Sequence, residues 1–333
     1  MNNTVFHKRD ISKNSFLVTG GAGFIGSNII KYLVKHNAGE IRIVDNLSNG
    51  YLENIEEFLS LPNVVFYEES LVDMMVCEKV VKDVDFVIHQ AALGSVPRSI
   101  NNPIATNEAN VSAFLNLLTA AKDAKVKRMV FASSSSVYGD SDVMPRTEKH
   151  TGNPLSPYAV SKRVDELYAK VFYRVYKFPV MGLRYFNVFG PHQSPNGPYA
   201  AVIPMFMNAL LSNQSPVIHG EGDQSRDFTY IDNVVQANIR ALFTEKEDAF
   251  GEMFNVGYGE ATSILDLFKM LKSSVNSTLE PTFVAPRVGD VKDSLADISK
   301  AQDLLGYQPQ VSIGVGLAET IQWFESKFFQ SKV

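Results

Sequence analysis

The chain has almost no cysteine, no long apolar run and no surplus of positive charge. Cys77 is its one cysteine among 333 residues, so it cannot form an intramolecular disulfide, and a cytoplasmic, reducing setting is expected. No stretch approaches the roughly 20 consecutive apolar residues of a membrane helix, and the polar residues 1–14 lack a signal-peptide core. The net charge of −5 gives no general attraction to nucleic acid or to anionic membranes. These absences exclude thiol redox chemistry and four-cysteine zinc sites, and the scattered histidines predict no metal site.

Apolar strands alternate with helical stripes through the first half of the chain. The predicted strands cover residues 15–18, 41–44, 64–67, 86–88, 129–131 and 180–183. Three helices are predicted in this half. The first begins at Phe24, the second carries an apolar face from Val111 to Leu118, and the third runs over 159–176. This alternation predicts an α/β fold, a Rossmann doubly wound parallel sheet with helices on both faces.

The second half of the chain is less regular. Residues 187–226 are rich in Pro, Gly, Asn and Gln. The predicted elements are a helix near 204–211, a helix capped by Asp232 and reaching Phe243, a strand over 254–256, and a helix opened by a Ser263–Asp266 capping box. We therefore expect a nucleotide-binding domain over 1–186, with returning segments near 227–257, and a smaller α/β substrate-binding region over 187–333.

A glycine loop links the first strand to the first helix. Gly20, Gly23 and Gly26 allow a tight turn and a close approach to a pyrophosphate, which the N–H groups and dipole of the helix N-terminus attract. Asp45 follows the second strand, where a carboxylate would bond ribose hydroxyls and repel a 2′-phosphate. The pattern predicts NAD as the cofactor. The alternative is that the glycines only form a turn and Asp45 is a loop residue.

Tyr158 and Lys162 lie four residues apart, on one face of a predicted helix. A free tyrosine ionises near pH ~10, and a neighbouring ammonium favours the phenolate, which can take a proton from a sugar hydroxyl. Four serines, residues 133–136, end the fifth strand at the sheet edge where ligands bind. The pair alone is common in solvated helices, but its combination with the glycine loop indicates an active site.

Together these motifs resemble the extended short-chain dehydrogenase/reductase family, in its nucleotide-sugar branch and especially its bacterial UDP-N-acetylhexosamine 4-epimerases. The resemblance extends over nearly the whole chain. The segments that carry it are 20–26, 89–99, 133–140, 153–158, 183–190, 225–228 and 287–290.

The resemblance implies roles for individual residues. The implied catalytic residues are Ser134, Tyr158 as the base, and Lys162. The implied NAD contacts are Gly20, Gly23, Phe24, Ile25, Gly26, Asp45, Asn46, Ser70, Leu71, Gln90, Ala91, Ala92, Asn110, Tyr158, Lys162, Tyr185 and Val188. The implied UDP-sugar contacts are Gly94, Ser95, Ser134, Ser135, Ser136, Tyr158, Asn187, Ala201, Val202, Val217, Ile218, His219, Arg226, Arg287, Asp290 and Ser294.

Two positions depart from the commonest pattern of the family. Ser70 stands where an aspartate often bonds adenine, which leaves that contact open. Ser294 stands where epimerases restricted to UDP-glucose and UDP-galactose resemble one another in carrying a tyrosine. A hydroxymethyl group there, together with Gly94, leaves space for an N-acetyl group on the sugar.

The resemblance implies reversible, NAD-dependent C4 epimerisation of UDP-GlcNAc and UDP-GalNAc through a 4-keto intermediate, with UDP-Glc and UDP-Gal left open as a further pair. It also implies a homodimer formed by the Tyr158 helix and the helix after Asn107. One alternative is a UDP-N-acetylhexosaminuronic acid 4-epimerase or another UDP-uronate enzyme, since Arg98 and the serines could receive a carboxylate. Another is a non-catalytic nucleotide-sugar-binding regulator. A 4,6-dehydratase is disfavoured because Ser135 and Ser136 stand where it needs an acid–base carboxylate pair.

Overall fold

A computed structural model describes residues 4–194, 201–286 and 292–330, without the side chains of 328–330. The strands are β1 Ser15–Thr19, β2 Glu40–Val44, β3 Val64–Tyr67, β4 Phe86–His89, β5 Arg128–Ser134, β6 Val180–Tyr185, β7 Val188–Phe189, β8 Val217–His219, β9 Ser225–Arg226, β10 Thr229–Tyr230, β11 Met253–Val256, β12 Thr262–Ser263, β13 Thr282–Val284 and β14 Asp293–Ser294. The α-helices are α1 Phe24–Lys35, α2 Met74–Val81, α3 Val96–Asn101, α4 Pro103–Asn107, α5 Ala113–Asp123, α6 Pro157–Tyr176, α7 Val202–Leu211, α8 Ile231–Phe243, α9 Ile264–Ser274, α10 Ser299–Leu305 and α11 Ile313–Gln330.

Seven parallel strands form the central sheet in the order β11-β6-β5-β4-β1-β2-β3. Successive side chains of a strand point to opposite faces, so Phe16 and Val18 join one buried cluster and Leu17 the other. Residues from α1 and α8 complete the first cluster, and residues from α2, α5 and α6 complete the second. The predicted doubly wound α/β sheet is confirmed.

Chain order reverses between β1 and its neighbour β4. Two strands that lead to opposite sides leave a crevice beyond their carboxyl ends, and ligands of open α/β sheets bind in such crevices. The glycine loop follows β1 and the segment after His89 follows β4, so both lie at this crevice.

The second half of the chain adds three small sheets, formed by the strand pair β10-β7, the triplet β12-β9-β14 and the pair β13-β8. Its strand β11 joins the central sheet beside β6. Within the described ranges, no helix has the length and apolar character needed to cross a membrane.

Local capping follows the sequence at one helix and departs from it at another. Ser263 caps α9 by accepting a hydrogen bond from Asp266 N at 3.0 Å, which confirms Ser263 as the predicted cap residue, and Asp266 Oδ2 accepts from Ser263 Oγ at 2.7 Å. The prediction that Asp232 caps α8 is wrong, because Tyr230 holds the N-cap position and Asp232 lies in the first turn. An acidic residue in that turn still interacts favourably with the helix dipole.

Candidate functional site

The glycine loop packs against the end of β4 so closely that side chains are excluded. Gly20 has φ +64°, and a Cβ there would stand 2.6 Å from the backbone nitrogen of Ala91. A Cβ on Gly26 would overlap the carbonyl oxygen of Gly20. Gly23 is the N-cap of α1 and no side chain caps this helix, so its first N–H groups face the crevice. The loop therefore offers a backbone cradle for an anion.

Asp45 is fixed beside this loop by two backbone hydrogen bonds. Its carboxylate accepts from Ala22 N at 3.0 Å and from Leu47 N at 2.8 Å. Burial raises the pKa of Asp45 above its ordinary value, although both hydrogen bonds act against that shift. A carboxylate held at the end of β2 is placed to accept from ribose hydroxyls.

A cavity of about 480 Å³ lies at the crevice, within the size range of ligand pockets. Every residue of the implied NAD set except Asn110 lines it, as do Gly94, Ser134 and Asn187 from the implied UDP-sugar set. Sequence reasoning missed the lining residues Ser48, Asn49, Gly50, Glu69 and Gln193. Ser48 and Glu69 lie within two residues of predicted positions, so loop continuity could have found them, whereas Asn49, Gly50 and Gln193 lie three to five residues from the nearest predicted position.

Asn110 lies behind the cavity wall, where it is fully buried. Its Oδ1 accepts from Leu93 N at 2.8 Å, and its Nδ2 donates to Ser161 Oγ at 3.0 Å. The side chain therefore ties the segment after β4 to α6, one residue before Lys162.

Helix α6 and strand β5 carry the three implied catalytic side chains to one cavity. Ser156 starts α6 by accepting from Ala159 N at 3.1 Å, and Pro157 fits the first helical turn. Tyr158 and Lys162 then line the cavity, facing Ser134 at the end of β5. A hydroxyl, a phenol and an ammonium thus share one wall with the glycine loop.

A buried ion pair supports this wall from behind. Glu166 accepts from Arg184 Nε at 2.7 Å, from Arg184 Nη2 at 2.8 Å and from Ser133 Oγ at 2.7 Å. Burial alone would raise the pKa of Glu166, but the Arg184 guanidinium holds it below its ordinary value. The pair joins α6 to β5 and β6 next to Ser134, and sequence periodicity carried no signal for it.

A second cavity of about 260 Å³ adjoins the first and shares Asn187, Val188 and Gln193 with it. Its walls bring together further members of the implied UDP-sugar set, which are Ala201, Val202, Val217, Ile218, His219 and Arg226. The Arg226 guanidinium is oriented by bonds from Nη1 to the carbonyl oxygens of Ser225 at 2.8 Å and Lys292 at 3.0 Å.

Asp227 connects the segments around the second cavity. It is fully buried and accepts from the backbone nitrogens of Tyr258 at 2.7 Å, Gly259 at 3.0 Å and Ala296 at 3.3 Å. Burial raises the pKa of Asp227 to about 6, against the effect of these bonds. Its carbonyl oxygen accepts from Asn187 Nδ2 at 3.2 Å. Asp227 therefore also holds Asn187, the residue that lines both cavities.

Several implied UDP-sugar residues lie outside both cavities. Ser95 caps α3 by accepting from Arg98 N at 3.2 Å, and Ser135 and Ser136 form a 3-10 turn after β5. Ser294 pairs with Arg226 between β14 and β9. Arg287 and Asp290 lie outside the described residues.

The histidine and cysteine side chains form no metal-binding cluster in the part of the chain that the structure describes. His89 Nδ1 bonds Thr19 Oγ1 at 2.7 Å, and burial lowers the pKa of His89 to about 3, helped by Lys162. Cys77 is buried on α2. Both are packed interior residues.

The fold and this paired cavity define a Rossmann-type α/β protein with a ligand site at its switch point. A family model described as GDP-mannose 4,6 dehydratase matches residues 17–320. The chain is 41% identical to the UDP-N-acetylglucosamine 4-epimerase of Methanobrevibacter ruminantium M1, solved with UDP-N-acetylmuramic acid, with a TM-score of 0.89 over 95% of this chain and 99% of that one.

Two more solved structures extend the comparison. The UDP-glucose 4-epimerase of Thermotoga maritima, with UDP-glucose, is 37% identical, with a TM-score of 0.88 over 94% of this chain and 99% of that one. The UDP-glucuronic acid 4-epimerase of Bacillus cereus, with UDP-glucuronic acid and NAD, is 32% identical, with a TM-score of 0.87 over the same shares. The chain therefore belongs to the extended short-chain dehydrogenase/reductase family, in its nucleotide-sugar epimerase and dehydratase branch.

Proposed function

We propose that this chain is an NAD-dependent UDP-sugar 4-epimerase whose preferred substrates are UDP-GlcNAc and UDP-GalNAc. The observation that carries the proposal is the pair of adjoining cavities. One holds the glycine loop, Asp45 and the Ser134–Tyr158–Lys162 wall, and the other holds Arg226, with Asn187 common to both. A dinucleotide and a nucleotide sugar then meet at Asn187 and the catalytic wall.

The first cavity fits NAD on observations of this chain. Backbone N–H groups of α1 face the crevice without a side-chain cap, and a Cβ at Gly20 would clash with the Ala91 backbone, so only glycine allows this close packing of the loop. Asp45 offers a carboxylate where a 2′-phosphate would be repelled. When bound, NAD supplies a reversible acceptor for the hydrogen at C4 of the sugar.

The chain's own residues handle the proton of the C4 hydroxyl. Tyr158 would take that proton, and the Lys162 ammonium, which lines the same cavity, would stabilise the negative charge that develops on the reacting oxygens. Ser134 at the end of β5 donates to or accepts from the same sugar oxygen. Once the 4-keto sugar presents its opposite face, the hydrogen returned to C4 would invert that carbon, while Tyr158 gives its proton back to the C4 oxygen, so no co-substrate would be consumed.

The second cavity supplies the anchor that this reaction needs. The sugar must turn over while the UDP stays in place, so the nucleotide needs its own binding walls. Arg226 can bind phosphate oxygens through its guanidinium fork, and Val217, Ile218 and His219 of β8 would contact the base.

The space beside the sugar supports an N-acetylated substrate. Gly94 lines the first cavity, and no atom stands within 4 Å of a Cβ built on it. Ser294 lines neither cavity, but it is a small, half-buried residue paired with Arg226, which lines the second cavity. The similarity to a UDP-N-acetylglucosamine 4-epimerase agrees with this preference, whereas the Thermotoga relative leaves UDP-glucose as the competing substrate.

A UDP-uronate substrate is the second candidate, favoured by the similarity to the Bacillus cereus UDP-glucuronic acid 4-epimerase. A C6 carboxylate would need a cation. Arg98, the nearby cation of α3, donates from Nη1 to Asn49 Oδ1 at 2.9 Å, so this hydrogen bond would have to break or be shared.

The test is conversion by the purified protein, with NAD content measured separately. UDP-GlcNAc should give UDP-GalNAc, and rates should fall in the order UDP-GlcNAc, UDP-Glc, UDP-GlcNAcA. Protein that holds NAD yet converts none of the three would contradict the proposal and favour a non-catalytic nucleotide-sugar-binding regulator. Faster conversion of UDP-GlcNAcA would favour the uronate enzyme.

We also propose a homodimer in which α6, the helix of Tyr158, and the helix after Asn107 pack against the same two helices of a second copy. Leu167, Val171 and Val175 recur every four residues on α6 and are each at least half exposed, and Ile104 on α4 is 80% exposed. Such a continuous apolar face is typical of subunit contacts. Val171→Lys should shift the species seen by light scattering from dimer to monomer, and a monomeric wild type would contradict the assembly.

A further inference from the structure

A carboxylate lies directly behind the lysine of the catalytic wall. Asp165 follows Lys162 by three residues on α6, and Lys162 Nζ stands 3.4 Å from Asp165 Oδ2. The two side chains are 1% and 0% exposed. Lys162 lines the first cavity and Asp165 does not, so the ammonium stands between the cavity and the carboxylate.

The pair is not a saturated structural ion pair. At 3.4 Å the contact is longer than a close charge-assisted hydrogen bond. The other carboxylate oxygen, Asp165 Oδ1, is buried without a hydrogen-bond partner in the described residues. A buried pair with an unsatisfied oxygen adds little to stability. The presence of a carboxylate beside Lys162 therefore needs an explanation other than stability.

Other charged groups near the pair are already compensated or neutral. Glu166 on the same helix is bonded by Arg184 and Arg163. His89 at the end of β4 is held neutral, since burial lowers its pKa to about 3 and Lys162 lowers it further. Burial raises the pKa of Asp165 above its ordinary value, and the Lys162 ammonium acts against that shift. Asp165 is therefore the carboxylate that the described part of the chain pairs with the Lys162 ammonium.

We propose that Asp165 is a positioning residue that keeps the buried Lys162 side chain charged and directed at the cavity, and through it sets the charge next to Tyr158. A buried ammonium without a counter-charge gives up its proton more readily. The loss of that charge weakens the phenolate form of the tyrosine. The expected effect of Asp165 on turnover rests on the proposed function, but its expected pairing with Lys162 in the folded protein does not.

The kinetic test is Asp165→Asn, which keeps the shape and removes the charge. We expect kcat to fall by about tenfold or more, the KM for UDP-GlcNAc to stay within about twofold, and the alkaline limb of the kcat profile to move by about one pH unit or more to lower pH. The matched control is Asp123→Asn, which breaks an exposed pair with Lys122 and should change none of the three.

A stability cycle tests the pair without any substrate or turnover. Lys162→Met alone leaves Asp165 as an isolated buried carboxylate and should lower Tm, whereas Lys162→Met with Asp165→Asn leaves neither charge and should restore part of the loss. Additive Tm changes, or an Asp165→Asn enzyme with unaltered kcat and pH profile, would overturn the inference. If the wild type converts no UDP-sugar, the proposed function fails while the cycle still decides the ion pair.

Discussion

The two halves of the molecule are constructed differently. The central sheet has strands of four to seven residues, and six of its seven strands come from the first half. The small sheets of the second half use strands of two or three residues. The wall with Ser134, Tyr158 and Lys162 therefore stands on a long parallel ladder, whereas the second cavity stands on short strand pairings.

Short strands form few ladder hydrogen bonds, so their segments need other connections. In the second half Asp227 supplies three side-chain-to-backbone bonds that join β9, the turn after β11 and the end of β14. On the proposed function, the first half would supply the chemistry and the second half would select the substrate.

The largest effect should follow from removing the proposed base in the first half. Tyr158→Phe deletes the hydroxyl that takes the C4 proton, so kcat should fall by about 10²- to 10⁴-fold on every accepted UDP-sugar, with UDP-sugar affinity nearly intact. Steady-state rates and equilibrium binding measure the two effects. The control is Tyr168→Phe on the same helix, outside both cavities. Equal rates for Tyr158→Phe and wild type would show that Tyr158 is not the base.

The next effect tests the rigidity of the first half. Glu166→Gln leaves the Arg184 charge buried without its counter-ion, so the free energy of unfolding should fall by about 3–5 kcal/mol in urea titrations. Lys269→Gln removes an exposed pair with Asp266 and should leave the urea midpoint unchanged. A similar small change for both variants would mean that the wall does not depend on the buried pair.

A smaller and selective effect belongs to the second half. Ser294→Tyr places a ring next to Arg226, which lines the second cavity, so kcat/KM for UDP-GlcNAc should fall about 10- to 100-fold relative to that for UDP-Glc. Ser294→Ala should leave the ratio unchanged. An equal fall in kcat/KM for both sugars would contradict the proposal that the second half selects the substrate.

The smallest effect concerns pH and the N-terminal segment of the first half. His7 Nδ1 bonds the Tyr32 hydroxyl at 2.8 Å, and its ring meets that of His36. Burial, together with the charge of His36, lowers the pKa of His7, and burial and Lys35 lower the pKa of His36. The neutral rings therefore favour the folded state, and this contribution is present above a pH of about 6.5 and is lost as the pH falls below it.

His7→Gln should therefore reduce the fall in Tm between pH 7.5 and 5.5 by about 1 °C, as measured by differential scanning fluorimetry. The exposed His150, replaced in the same way, provides the comparison. An unchanged pH slope in the His7 variant would show that the N-terminal contact contributes no such dependence.

The sequence predicted most of the first half because its signals are long and repeated. Six apolar runs gave the six strands of that half within a few residues, and the glycine loop and Tyr158–Lys162 spacing led to residues of one cavity. Strands such as β9 and β14 have two residues each and carry no periodicity, so only their pairing in space defines them.

Side-chain partners were the part that sequence could not supply. Asn110 belongs behind the wall because Leu93 and Ser161 come within bonding distance only after folding. The same holds for Glu166 with Arg184, eighteen residues apart, and for the carboxylate of Asp227. Asp165 was the exception, since an acid three residues after a buried lysine is visible in the sequence as soon as the burial of that lysine is suspected.

The wall shared at Asn187, Val188 and Gln193 has a thermodynamic consequence. Two ligands that contact the same side chains are linked, and linkage is reciprocal. By whatever factor an occupied first cavity alters the affinity of the second, an occupied second cavity must alter the affinity of the first. With NAD in the first cavity and a UDP-sugar in the second, as proposed, retention of NAD would depend on the UDP-sugar concentration as well as on the protein, so a washed preparation and a working one need not hold NAD equally tightly.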